Sequence, residues 1–156
     1  MLSTTNYKQP SALYFLIMKI IRPNITKQYS LHDADIIAFK RMDDQLVLTP
    51  KDGMVKVSEN AATVDGYIEF NGVDWDFSFA YLLDFCGNTG RFEGEKFTLA
   101  DFINRFGNSV FSVVDETFGY NQTKLSGYLL KNQTMRECVI EISHLGDMVY
   151  VDNGAV

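Results

Sequence analysis

Asp74 and Asp76 stand two residues apart in a stretch of strand character, and a two-residue step puts both carboxylates on one face. Together with Asp84 or Glu93 they could hold a divalent cation, which favours such hard oxygen ligands. Alternation of polar and apolar residues produces the same pattern as a solvated face, and no Asp-rich calcium loop ending in Glu accompanies the pair. His32-Asp33 has the composition of a general base with its orienting carboxylate. Neighbours on a strand point to opposite faces, however, which favours a strand-start or capping role. Cys86 before Gly87, with His144 at another turn, offers a nucleophile and a base. Two cysteines and two histidines would often offer such a pair by chance, and Cys86 and Cys138 fit better as small buried hydrophobes. A zinc site would need all four to converge, and neither a C-x-x-C nor an H-x-x-x-H spacing is present. Gly87-Asn88-Thr89-Gly90 lacks the Lys-Ser/Thr of a phosphate loop, and no G-x-G-x-x-G occurs. The residues therefore specify no catalytic set, no metal and no cofactor.

A different kind of chemistry, protein recognition, is open to the stretch from Val114 to Gln122. It mixes Asp115 and Glu116 with Phe118 and Tyr120, and aromatics on a connecting loop suit a binding patch. The alternative is a turn whose aromatics fold back onto the core. The candidate contact residues are accordingly Asp74, Asp76, Asp115, Glu116 and Tyr120.

Most of the elements that must position these residues read as strands. Residues 32–41 and Gln45 to Thr49 are separated by an acidic turn, and Pro50 with Lys51-Asp52-Gly53 stops the second. Met54 to Ser58 is a short third strand. Tyr67 to Phe70, then Asn71-Gly72, then Val73 onward predicts a hairpin on a type I′ turn. Within it Val73, Trp75, Phe77, Phe79 and Tyr81 alternate with Asp74, Asp76, Ser78 and Ala80, which predicts five large side chains in the core and two carboxylates in water. Gly87 to Gly94 reads as a loop. Thr98 caps a helix through 107, with Asp101 three residues on and Leu99, Phe102, Ile103 and Phe106 on one stripe. Val110–Val114, Thr123–Lys131, Glu137–Ser143 and Met148–Val151 read as further strands, the last two joined by a hairpin-length turn at His144–Asp147. Short connections favour antiparallel pairing. The fold class expected is α+β, mainly β: antiparallel sheet with one short amphipathic helix at about 98–107.

The chain of 156 residues is long enough to bury a core, and no repeat or low-complexity tract divides it. Residues 1–17 read as a loose N-terminal extension and 18–156 as one domain, with Met18 an alternative start. Aromatics at 13% favour pleated surfaces. A net charge of −6 disfavours nucleic acid and anionic membranes, both of which need a basic face; it suits a basic protein partner, but a modest negative charge also serves solubility alone. The apolar run from Ala12 through Ile21 is too short to span a bilayer and lacks the basic flank and cleavage site of a signal peptide. Two scattered thiols suit a reducing cytoplasm, where the N-x-T sequons at Asn24, Asn121 and Asn132 are chance matches.

Leu31-His32-Asp33-Ala34-Asp35-Ile36, followed by an acidic turn and Gln45-Leu46-Val47-Leu48, resembles a group of small bacterial cytosolic β-rich proteins. Several of these are grouped with immunity proteins of polymorphic toxin systems. The resemblance covers about 20 residues, with a looser echo in Gly66 to Phe70, and it carries over no catalytic residue. It implies a non-enzymatic protein that binds and blocks a partner such as a toxin. The function expected is therefore immunity- or inhibitor-type binding by a small bacterial or phage protein through an acidic and aromatic surface. The alternative is a small ligand-binding or hydrolytic β domain using His32 with Asp74 and Asp76, or Cys86 with His144.

Overall fold

The computed structural model describes residues 27–57, 61–84 and 93–155. Among these residues eleven strands form one antiparallel sheet: β1 (Tyr29–Ser30), β2 (Asp35–Met42), β3 (Gln45–Pro50), β4 (Met54–Lys56), β5 (Thr63–Phe70), β6 (Phe79–Asp84), β7 (Glu93–Thr98), β8 (Val110–Gly119), β9 (Gln122–Lys131), β10 (Thr134–Ser143) and β11 (Met148–Ala155). One helix, α1 (Leu99–Phe106), lies between β7 and β8. The strand order is β1-β4-β5-β3-β2-β8-β9-β10-β6-β7, with β11 added along β5. The fold is thus α+β and mainly β, as the sequence predicts.

Three of the hairpins arise from local turn chemistry. Asp43 (φ +45°) turns β2 into β3, Asn121 (φ +52°) turns β8 into β9, and Asn132 and Gln133 (φ +49° and +65°) turn β9 into β10. Two successive positive φ values give the last turn the twist its strands require. The helix also forms as read. The Thr98 side chain accepts from the Asp101 backbone N–H at 3.1 Å, and Leu99, Phe102 and Phe106 are buried. Gly107 closes it in right-handed rather than left-handed geometry, its N–H reaching Ile103 O. Phe102 meets Phe39 of β2 edge-on at 5.9 Å, while the helix also packs on β6 and β10. Since β2 and β6 stand four places apart in the sheet, the sheet must curl around the helix.

Two expected hairpins do not form. Gly72 has φ +64°, but Asn71 stays out of the positive region, so no type I′ turn joins β5 to the 73–78 segment. Strand β5 pairs instead with β3 and β4 on one side and β11 on the other. Likewise His144–Asp147 does not fold β11 back onto β10; it carries the chain across to β5. The alternation from Val73 to Tyr81 is broken as well. Val73 makes an isolated bridge to His144, Trp75 to Phe77 turn, and the strand resumes only at Phe79. The phase is thereby reversed: Ser78, Ala80 and Leu82 are fully buried, Phe79 and Tyr81 are half-buried, and Phe77 is 67% exposed. A polar residue causes this. The Ser78 hydroxyl donates to Asp74 O at 2.7 Å and accepts from Ser143 N at 2.9 Å, so its burial is compensated.

Strand β7 and the second half of β8 were not expected from the sequence. Strand β7, Glu-Gly-Glu-Lys-Phe-Thr, carries almost no apolar signal, and pairs along all of β6. Strand β8 continues through 114–119, where a polar connection was expected, because a bulge between Val113 and Asp115 shifts its register. Among the described residues no helix is long and apolar enough to cross a membrane.

Candidate functional site

One end of the curled sheet collects four loops, and backbone hydrogen bonds join them. Val73 N donates to Asp44 O at 2.7 Å and Asp74 N to Ser143 O at 2.8 Å. Asn71 N reaches Asp147 O at 3.0 Å, Leu145 N reaches Gly72 O at 2.9 Å, and His144 N reaches Asn121 O at 3.0 Å. The β2–β3 turn, the 71–78 segment, the β8–β9 tip and the 144–147 segment are thus one surface. His144 is the pin. Its Nδ1 pairs with Gly146 O at 2.9 Å and its Nε2 with Thr123 Oγ1 at 3.0 Å, and its ring stands edge-on to Phe70 at 5.3 Å. A carbonyl can only accept, so Nδ1 carries a proton. Both nitrogens are satisfied, which is a structural use of the residue.

Asp74 and Asp76 come to this end, and so does Tyr120, 95% exposed at the hairpin tip. Asp74 Oδ1 accepts from Asp76 N at 3.1 Å and Phe77 N at 3.2 Å, so half of this carboxylate fixes the turn. Asp76 is exposed. Sequence reasoning missed Asp43, Asp44 and Asp147, all exposed here, together with Phe77 and Leu145, the latter 77% exposed. An acidic turn and a Leu-Gly-Asp run were visible, but their convergence depends on β5–β11 pairing, which has no local signature. None of these five aspartates makes an ion pair with another described residue. Arg41 lies 4.4 Å over the Trp75 ring, and the Trp75 Nε1–H donates to Asp43 O at 2.6 Å. Lys124 is neutralised by Glu141 at 2.7 Å.

The other expected contact residues lie elsewhere. Asp115 is exposed further along β8. Glu116, one residue past the bulge, turns inward and is only 7% exposed, so it cannot serve as a surface contact. Its Oε1 accepts from Leu31 N at 2.6 Å and Ser30 Oγ at 3.0 Å, while Oε2 has no hydrogen-bond partner among the described residues. Tyr150, whose ring stacks on Tyr29 at 5.3 Å, has its hydroxyl pKa pushed up, first by burial and then by the Glu116 charge.

Among the described residues, the groups proposed for catalysis are not gathered. His32 and Asp33 sit in a turn before β2 rather than on the strand, Asp33 at φ +63°, and their side chains meet at 3.5 Å on the surface. His32 Nδ1 donates to Val114 O. Neither approaches Asp74 or Asp76 at the loop end, where Asp74 is tied to Ser143 and Asp76 to Asp74. Asp84 is held at the far end of β6 by the Arg136 fork, at 3.0 and 3.1 Å, and Arg136 also reaches Glu95 at 2.9 Å. Cys86 and the Gly87–Gly90 stretch lie outside the described residues, as do the N-terminal apolar run and Asn24. Cys138 is buried, and burial pushes its thiol up to about 12. Among the described residues no three His, Cys, Asp or Glu side chains are placed to hold a metal ion.

No family model, curated protein or solved structure matches this chain.

Proposed function

We propose that this chain is a non-enzymatic cytoplasmic binding protein that holds a basic protein partner against its loop end, in the manner of an immunity or inhibitor protein. One observation carries the reading: five aspartates without ion-pair partners among the described residues share the cross-bonded loop end with the exposed side chains of Phe77, Leu145 and Tyr120. Large apolar groups in water are what an interface core requires, and uncompensated carboxylates around them steer a cationic surface and reject an acidic one. The loops that present them are cross-bonded to one another, so little order has to be acquired on binding.

Site-specific photo-crosslinking in the native host tests this. A benzophenone side chain replaces Phe77, Tyr120 or Leu145 in turn, and Met135, exposed near the opposite end of β10, serves as the control. The expectation is one and the same basic protein trapped from the three loop positions and not from Met135. Trapping should fall in the Asp43→Asn/Asp44→Asn variant, since asparagine tolerates the positive φ of Asp43. It should also fall as salt rises from about 0.1 to 1 M and the screening length shrinks from roughly 10 to 3 Å. Equal trapping at Met135, or unrelated proteins at each loop position, would overturn the proposal.

A further inference from the structure

At the other end of the curled sheet, the end of α1, the 107–110 connection and the β9–β10 turn enclose a cleft of about 510 Å³. Its charge is opposite to that of the whole chain. Among the described residues Arg105 and Lys131 line it, no carboxylate does, and neither cation makes an ion pair. Asp101, one turn back from Arg105, is held by the Thr98 hydroxyl at 2.7 Å instead. Both cations are positioned by aromatic faces: Arg105 stands 5.4 Å and Lys131 4.7 Å from the Phe106 ring centre. Lys131 Nζ spends one donor on Arg105 O at 3.2 Å, and the guanidinium makes no hydrogen bond to another described residue.

Helix-end carbonyls would repel an anion, but here three of the last four are already occupied. Ile103 O accepts from Gly107 N, Phe106 O from Ser109 N, and Arg105 O from Lys131. The Ser109 side chain adds a second pointer. The residue is only 6% exposed, it lines the cleft, and its hydroxyl makes no hydrogen bond to another described residue. The hydroxyl is not one of the fully buried, unpartnered polar atoms, so it opens to the cleft, where it can donate to a ligand atom or water. Asn108 and Asn132 supply amides at the rim, and Phe39 an apolar lining. A volume of this size fits a small organic molecule rather than a bare ion.

We infer that this cleft binds an organic phosphate monoester of about mononucleotide size. The phosphate sits between Arg105 and Lys131 with the Ser109 hydroxyl donating to it, and the organic body lies on the Phe39 side against the Asn amides. Guanidinium and ammonium together neutralise a dianion, and the guanidinium fork matches two phosphate oxygens. The site is independent of the acidic end and stands or falls separately from it.

Amide chemical-shift titration of the full chain tests the inference, with adenosine 5′-monophosphate and glucose 6-phosphate as probes. Adenosine, glucose and inorganic phosphate are the controls. Shifts should concentrate at residues 103–110 and 130–132 for at least one ester. Its affinity should exceed that of inorganic phosphate and of its own uncharged parent. Arg105→Gln and Lys131→Gln should each weaken it by about tenfold, the loss of one charge-assisted contact, while Asp43→Asn/Asp44→Asn should leave it unchanged. Should either cation variant fail to fold, Asn108→Asp places a negative charge in the same cleft and should abolish binding. No ester binding, shifts elsewhere, or equal binding of inorganic phosphate or the uncharged parents would overturn the assignment.

Discussion

Replacing Glu116 by leucine should lower stability by about 2 kcal/mol, and the structure shows where that figure comes from. The wild-type carboxylate accepts from the backbone N–H of Leu31, a residue with no exposed surface, and from the Ser30 hydroxyl. Leucine removes the acceptor and leaves a buried N–H unsatisfied, at a cost of about 2–3 kcal/mol. Ser30 is only half-buried and can turn to water, so its loss adds roughly 0.5 kcal/mol. Against this, the buried Oε2 without a partner disappears, which returns about 1 kcal/mol of desolvation. For a chain of this length the net change is a melting temperature lower by about 4–8 °C, read by calorimetry or far-UV circular dichroism. Glu116→Gln keeps an oxygen for Leu31 N and loses only charge assistance, so it should fall between wild type and Glu116→Leu. An unchanged or raised melting temperature in Glu116→Leu would refute the reasoning, because the carboxylate would then not be what fastens Ser30-Leu31 to β8. So would a glutamine variant as damaged as the leucine one.

Phe77→Ser should change stability by less than about 0.5 kcal/mol because the ring lies mostly in water, whereas Phe70→Ser, fully buried, should cost at least about 3 kcal/mol in the same denaturation series. Thr98→Ala removes the cap of α1 and should cost about 1 kcal/mol, with Thr98→Ser restoring most of it. Cys138 should resist alkylation in native protein at about pH 8 and react on unfolding, as peptide mapping by mass spectrometry would show. Its thiol titrates near 9 when unfolded and at about 12 when folded, so the unfolded state binds fewer protons between those values and stability must fall as pH rises through them. Tyr150, pushed up by burial, acts in the same direction, and Cys138→Val with Tyr150→Phe should flatten the alkaline limb of the melting curve.

What could be read from the residues was what local chemistry decides. The capped helix needs only Thr98, Asp101 and a 3.6-residue stripe, all within about ten positions. The β2–β3 hairpin needs an acidic turn and two flanking runs. Pairings decided by the whole sheet were not readable: β5 with β11 joins residues some 80 positions apart, and neither strand carries a mark for the other. Asn71-Gly72 looked like a hairpin turn because it has the right residues, yet both backbones are spent on residues 145–147. For Glu116 the obstacle was a single inserted residue. The bulge at Val114 moves every later side chain of β8 to the other face, and one-residue slips leave no trace in composition.

The failure of alternation between Val73 and Phe79 also creates the candidate surface. Had the strict pattern held, Phe77 would be core and the segment would be one more strand, flush with its neighbours. Ser78, anchored to Asp74 O and Ser143 N, instead forces a turn that lifts Phe77 out and brings Asp74 against the β10 terminus. A large aromatic left in water has no role in folding, and the chain forgoes roughly 2 kcal/mol of burial by leaving it there. Local rules broken without a folding benefit tend to mark functional positions. The same break that spoils the sequence pattern thus sets Phe77 beside Asp74 and Asp76, on the cross-bonded loops that also present Leu145 and Tyr120.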